Sequence, residues 1–140
     1  MNWLSYTLLS AFFAAVTAIL AKVGVRNVDS NLATAVRTVV VLLFVWGIVF
    51  FQGTQKSAAQ ISRFSLTFLV LSGIATGLSW VFYFKALQIG EASRVAPIDR
   101  LSLILTIILA ALFLKEKLSA PVIFGSILMT LGAILVGLGK

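Results

Sequence analysis

The chain has 140 residues, 61% apolar and only 11% charged, with a mean hydropathy of +1.12. A soluble domain carries about 25% charged residues, so this composition excludes one and makes a bilayer the natural solvent. Eleven Lys and Arg against four acids leave +7, yet the cations stand singly between apolar runs, which excludes the basic patch that nucleic acid requires.

A spanning helix needs about 20 apolar residues, because each adds about 1.5 Å across a core of about 30 Å. Five runs qualify: 3–21, 32–51, 64–87, 95–114 and 121–138. The first follows a Met1-Asn2 start with no Lys or Arg, exceeds a typical signal-peptide core and shows no small-x-small cleavage site, so it reads as a true span. The next connection holds Asp29, Ser30 and Asn31, all good helix N-caps. The second span is interrupted by Arg37, and a polar loop, Gln52 to Arg63, follows it. The third carries Lys85 near its end; Gly90 and Ser93 mark the turn after it. Asp99 and Arg100 lie near the start of the fourth. Ser119 offers a cap for the fifth, with Pro121 in its first turn. No linker separates two domains, so residues 1–140 are expected to form one all-α, five-helix transmembrane domain.

An odd number of spans puts the two termini on opposite sides. The N-terminal side then holds Lys56, Arg63, Lys115 and Lys117, and the C-terminal side holds Lys22, Arg26, Arg94 and Lys140. Four against four gives the positive-inside rule little to act on. Including Arg37, Lys85 and Arg100 makes it seven against four, but these lie within spans and are discounted as topology signals. Dual topology is the expectation, with copies inserted both ways.

A charge at the bilayer centre costs about 2.5–3.5 kcal/mol on insertion scales, so intramembrane charges point to function. Tracing the chain brings Lys22, Arg37, Lys85, Glu91, Arg94, Asp99 and Arg100 to one half of the protomer. Lys22 and Arg94 read as residues snorkelling to the headgroups; Arg37 and Lys85 read either that way or as functional charges, and Asp99 either as a first-turn acid facing the helix dipole or as part of a polar cavity. The cluster sums to +5 and −2, a balance of +3 that suits an anionic or zwitterionic solute. The first span contains no acid, which argues against the proton-for-drug exchange of the small multidrug resistance proteins. No Cys and no His are present, and hydrolytic or metal chemistry has no ligand set, so neither enzyme activity nor a cofactor is expected.

On the third span Gly73, Gly77, Trp80 and Phe84 share one face, which reads either as a hollow with an aromatic wall or as ordinary Gly-xxx-Gly packing. Ser10, Ala14 and Ala18 on the first span, and Gly125, Met129, Gly132, Ala133 and Gly137 on the last, mark close helix contacts.

The junction Tyr83-Phe84-Lys85-Ala86-Leu87-Gln88-Ile89-Gly90-Glu91-Ala92-Ser93-Arg94-Val95-Ala96-Pro97 and the run Leu112-Phe113-Leu114-Lys115-Glu116-Lys117-Leu118-Ser119 resemble the EamA-type branch of the drug/metabolite transporter superfamily. The likeness covers essentially the whole chain. Typical members join two five-span repeats of opposite orientation, whereas this chain supplies one. The resemblance therefore implies a half-size member that pairs with a second copy of itself in antiparallel orientation, or with a paralogue, to regain a ten-helix inverted-repeat transporter. It further implies that the last two spans dock the halves while the first three surround the solute.

The combined expectation is a secondary transporter in the bacterial inner membrane, moving a small polar metabolite by alternating access. Arg37, Lys85 and Arg100 would attract anionic groups of the solute. Asp99 would pair with one of them or carry a proton, and Trp80 and Tyr83 would line the path. Glu116, beyond the end of the fourth span, is disfavoured by the helix dipole and is expected to be structural, with a basic partner in this chain or the neighbouring one. Two alternatives stay open: a flippase for a lipid-linked carrier, and a non-transporting membrane subunit of a larger complex.

Overall fold

The computed structural model describes residues 2–139; Met1 and Lys140, the latter counted among the flanking cations, lie outside the described residues. All regular structure among them is helical: α1 (Trp3–Gly24), α2 (Ser30–Phe51), α3 (Arg63–Ile89), α4 (Ala92–Asp99), α5 (Ser102–Phe113) and α6 (Ala120–Leu138), with a short 3-10 helix at Thr54–Gln60. Five segments are long and apolar enough to cross a membrane, α4 and α5 together forming the fourth, Ala92–Phe113. In lipid a helix is the natural solution, since it satisfies every backbone group within the segment. Hydroxyls follow the same rule: Thr7, Thr34, Thr38, Thr67, Thr76, Thr106 and Thr130 each donate to the carbonyl four residues back.

The chain forms two compact units, Met1–Ala18 with Ile89–Lys140, and Ile19–Gln88. In the second, Asp29 is the residue that caps α2, accepting from the backbone N–H of Asn31 at 2.9 Å and of Leu32 at 3.1 Å. Its packed centre is Val25, Ser30, Phe84 and Leu87, each no more than 3% exposed. The polar segment after α2 is not wholly irregular: Gly53 takes a left-handed turn, φ 69°, into the 3-10 helix.

In the other unit the fourth span is not one continuous helix, contrary to the uninterrupted 95–114 expected from its apolar run. It starts earlier, at Ala92, and is jointed between Asp99 and Ser102. Across the joint the N–H groups of Arg100, Leu101, Leu103 and Ile104 each bond the carbonyl three residues back, a tightening to 3-10 geometry. Pro97 sits inside α4 and cannot donate to the Ser93 carbonyl. Asp99 and Arg100 thus stand at a joint rather than within a regular helix. Pro121 occupies the first turn of α6, as its fixed φ favours, but Ser119 at the N-cap makes no capping hydrogen bond. α4 packs on α6 so closely that a Cβ at Gly137 would come within 2.7 Å of Ile98 Cδ1. At the end of α5 Lys115 adopts φ 55°, the left-handed C-terminal position usually taken by glycine. The Glu116 N–H then turns back to the Ala110 carbonyl, 3.3 Å.

Candidate functional site

The inward faces of α2 and α3 carry the site. On α2, Ser30 and Thr34 are buried and Arg37 half-buried, at i, i+4 and i+7. On α3 the corresponding stripe is Trp80, Phe84 and Leu87. The two faces meet at Arg37, whose guanidinium carbon lies 4.1 Å from the centre of the Trp80 ring and 5.4 Å from that of Phe84. A guanidinium over an indole face is the favourable cation–π arrangement. Tyr83 is half-buried beside Phe84, their rings edge-on at 6.4 Å. Among the described residues Arg37 forms no salt bridge with any acid.

The other cations of this unit near the end of α3 have partners of a different kind. Lys22, on α1, donates from Nζ to the Leu87 carbonyl at 2.6 Å. That carbonyl belongs to the last turn of α3, where helical acceptors lack intrahelical donors and a cation is favoured by the dipole. Lys22 is therefore a cap on another helix, not the snorkelling residue that its position suggested. Next to it, Gln88 Nε2 donates to the Val28 carbonyl at 2.9 Å and to that of Val25 at 3.4 Å, tying the α1–α2 turn to α3. Lys85 Nζ donates to Gln88 Oε1 at 3.3 Å and is exposed.

In the other unit, Arg94 pairs with Glu91 across the first turn of α4, Nε to Oε2 3.1 Å. Arg94 is thus half of an ion pair rather than a lone snorkelling cation. Asp99 and Arg100 are exposed, and Asp99 makes no ion pair among the described residues. Nor does Glu116, for which a basic partner was expected. The supposed pool of +3 is therefore divided among separate tasks. Of the expected site residues, Arg37 and Trp80 are in contact, Tyr83 flanks the pair, Lys85 turns to Gln88, and Asp99 and Arg100 mark the joint. Gly73 and Gly77 leave open space within 4 Å of where a Cβ would stand, so among the described residues these two glycines make no close helix contact, although Trp80 and Phe84 further along their face do. Lys22 and Gln88 as polar ties were not anticipated. Phe84 was placed on the aromatic face, but its contact with Arg37 was not foreseen.

These features define a multi-pass helical membrane protein with a half-buried arginine set against a tryptophan between two of its helices. The chain belongs to the EamA-like transporter family, whose model matches residues 1–138. It is 46% identical to an uncharacterized transporter in the cobO 3'region of Sinorhizobium sp over 134 residues, covering 96% of this chain and 95% of that protein. It is 33% identical to an uncharacterized protein of Methanocaldococcus jannaschii over 75 residues, 54% of this chain and 55% of the other. No solved structure matches the chain.

Proposed function

We propose that this protein is a secondary transporter for a small anionic or zwitterionic metabolite, working by alternating access in a bacterial inner membrane. The observation that carries the reading is Arg37, a half-buried guanidinium in a spanning helix, stacked on Trp80 and in no salt bridge with an acid among the described residues. Ionisable groups placed so in a membrane helix mark solute or ion paths. Family membership and a bacterial relative described as a transporter support the same reading.

In this scheme Lys85 and Arg100 draw in the solute's anionic group, Trp80 and Tyr83 line its path, and Asp99 is the acid for proton coupling. The working unit is an antiparallel pair of five-helix halves. The near-even distribution of flanking cations supports it, as does a relative matched over 95% of its own length. The open face at Gly73 and Gly77 leaves room for a neighbouring helix.

The test is uptake of amino acids and organic acids into proteoliposomes, with and without a pH gradient. Uptake that is saturable and lost in Arg37→Ala is expected. Uptake that survives replacement of Arg37 and Asp99 together would refute the site. A reporter fused to the C-terminus should be active on both sides of the membrane, and activity on one side alone would remove the dual-topology pair. Cross-links between single cysteines in α5 that fit only parallel chains would remove it too.

A further inference from the structure

The end of the fourth span combines three features that the transport scheme does not use. The first is an open groove of about 350 Å³ on α5, lined by Thr106, Leu109, Ala110, Phe113 and Leu114. Its one hydroxyl is spent on the helix itself, Thr106 Oγ1 donating to the Ser102 carbonyl at 2.9 Å, so the lining is hydrocarbon in effect. The second is the exposed run Lys115-Glu116-Lys117. Among the described residues none of these three side chains has a hydrogen bond or an ion pair. The third is the backbone that joins groove and charges. Lys115 stands at φ 55°, where glycine is easier, and the Glu116 N–H returns to the Ala110 carbonyl at 3.3 Å. Ala110 is itself part of the groove, so the charged run is folded back onto the groove's end. A lysine held in a glycine-like conformation points to a task for its side chain.

We infer that this corner binds a phospholipid with a primary ammonium, of the phosphatidylethanolamine type. An acyl chain lies in the groove, the phosphate meets Lys115 and Lys117, and the ammonium meets Glu116. The inference does not rest on the transport reading. From Thr106 to Leu114 the groove runs about 12 Å along the helix, most of the roughly 15 Å that one leaflet contributes to the hydrocarbon core. The spanning segment ends at Phe113, so the charged run falls at headgroup level. A helix of a second copy would cross both leaflets and has no use for charges at one end. A lipid presents chain, phosphate and amine in the order that the groove and the run receive them.

The headgroup follows from the three charges. Two lysines suit a phosphate. Glu116 between them repels a headgroup that carries no cation, such as phosphatidylglycerol. A choline is cationic but has no N–H to donate. An ammonium has three donors and can form a charge-assisted hydrogen bond to the carboxylate. These contacts lie at the membrane surface, where single ion pairs contribute modestly, so preferences of about threefold are expected.

The test uses the full chain in vesicles of digalactosyldiacylglycerol, a host lipid without phosphate. The chain has three tryptophans, and with all three replaced by Phe, Phe113→Trp puts a single emitter in the groove. A second variant keeps Trp46 as its sole tryptophan and reports lipid contact on α2. Ethanolamine, choline and glycerol phospholipids, brominated on the upper acyl chain, serve as quenchers. In the Phe113→Trp variant the ethanolamine lipid should associate about threefold more strongly than the other two, with no preference at Trp46. Adding Glu116→Gln should bring the glycerol lipid level with or above it. Adding Lys115→Gly and Lys117→Gln should lower all three toward the host lipid. Native mass spectrometry of the parent chain and the charge variants, with unbrominated lipids, repeats the comparison without tryptophan replacement.

Equal or stronger association of the glycerol or choline lipid with the parent charges would overturn the inference. So would the same preference at Trp46, or a preference untouched by the charge variants. Quenching in the groove that is weak for every lipid, and falls as the protein-to-lipid ratio rises, would show a second copy seated there and overturn it too.

Discussion

In the unit Ile19–Gln88 helix ends are tied by polar side chains: Lys22 reaches the Leu87 carbonyl and Gln88 the Val28 carbonyl. In the unit Met1–Ala18 with Ile89–Lys140, α4 meets α6 through close approach, Gly137 facing Ile98 and Ala133 buried. Both devices suit a solvent that is itself apolar. Between lipid and protein the hydrophobic effect does not distinguish a helix from its neighbour, so packing and interhelical hydrogen bonds do the joining. Small side chains permit contact at many registers. A lysine that caps one particular carbonyl permits one. The polar unit is accordingly the one that can hold Arg37 and Trp80 in a defined geometry.

The contrast is broken most directly at Arg37. Its replacement by Ala should lower solute uptake about 100-fold, close to the loss of one buried charge-assisted contact, while circular dichroism of the detergent-solubilised protein keeps its helical signal. Leu87→Ala strikes the packed centre of the polar unit, where the side chain is 0% exposed. It should lower stability by about 2 kcal/mol, read as a shift in reversible unfolding in mixed micelles. In the small-residue unit, Gly137→Leu should destabilise by about 1–2 kcal/mol through overpacking against Ile98, and Ile98→Ala should restore part of that loss. A Gly137→Leu variant as stable as the parent would show that the approach of α4 to α6 is loose. Lys22→Met removes a cap while keeping bulk, and about 1 kcal/mol should follow. Smallest is Lys115→Gly, expected to stabilise by about 0.5 kcal/mol by relieving the left-handed backbone, unless the lysine itself is needed for uptake.

Most helix limits could be read from the sequence to within a few residues, because an apolar run of membrane length has few alternatives. Residues 121–138 became Ala120–Leu138, and 32–51 became Ser30–Phe51. The fourth span was not legible in this way. Asp99 and Arg100 break its apolar run where the joint falls and Pro97 stands just upstream, but a charged pair in a span reads as readily as a site as it does as a helix joint. Within the candidate site the stripe Gly73, Gly77, Trp80, Phe84 was visible as a period. Its partner was not, since helical periodicity states which face a ring is on but not what stands opposite. The α2 stripe Ser30, Thr34, Arg37 carried a readable signal, an inward polar face, and pairing the two stripes would have found the contact. Lys22 was misjudged for a related reason: its acceptor is 65 residues away, and it is a backbone carbonyl, a group every residue has.

Two neighbouring residues, Leu87 and Gln88, anchor one end of α3, and two anchors on a single turn restrain a rod against both sliding and spinning. α3 has 27 residues. Mechanically it is a lever clamped at one end, with Trp80 near the fulcrum and Arg63 at the tip. A tilt of about 5° about that clamp sweeps the tip through about 3 Å, given a rise of about 1.5 Å per residue. The ring beneath Arg37, about 12 Å from the clamp, would move about 1 Å. In the proposed transport scheme, such a lever would widen the path at the Arg63 end far more than near the clamp.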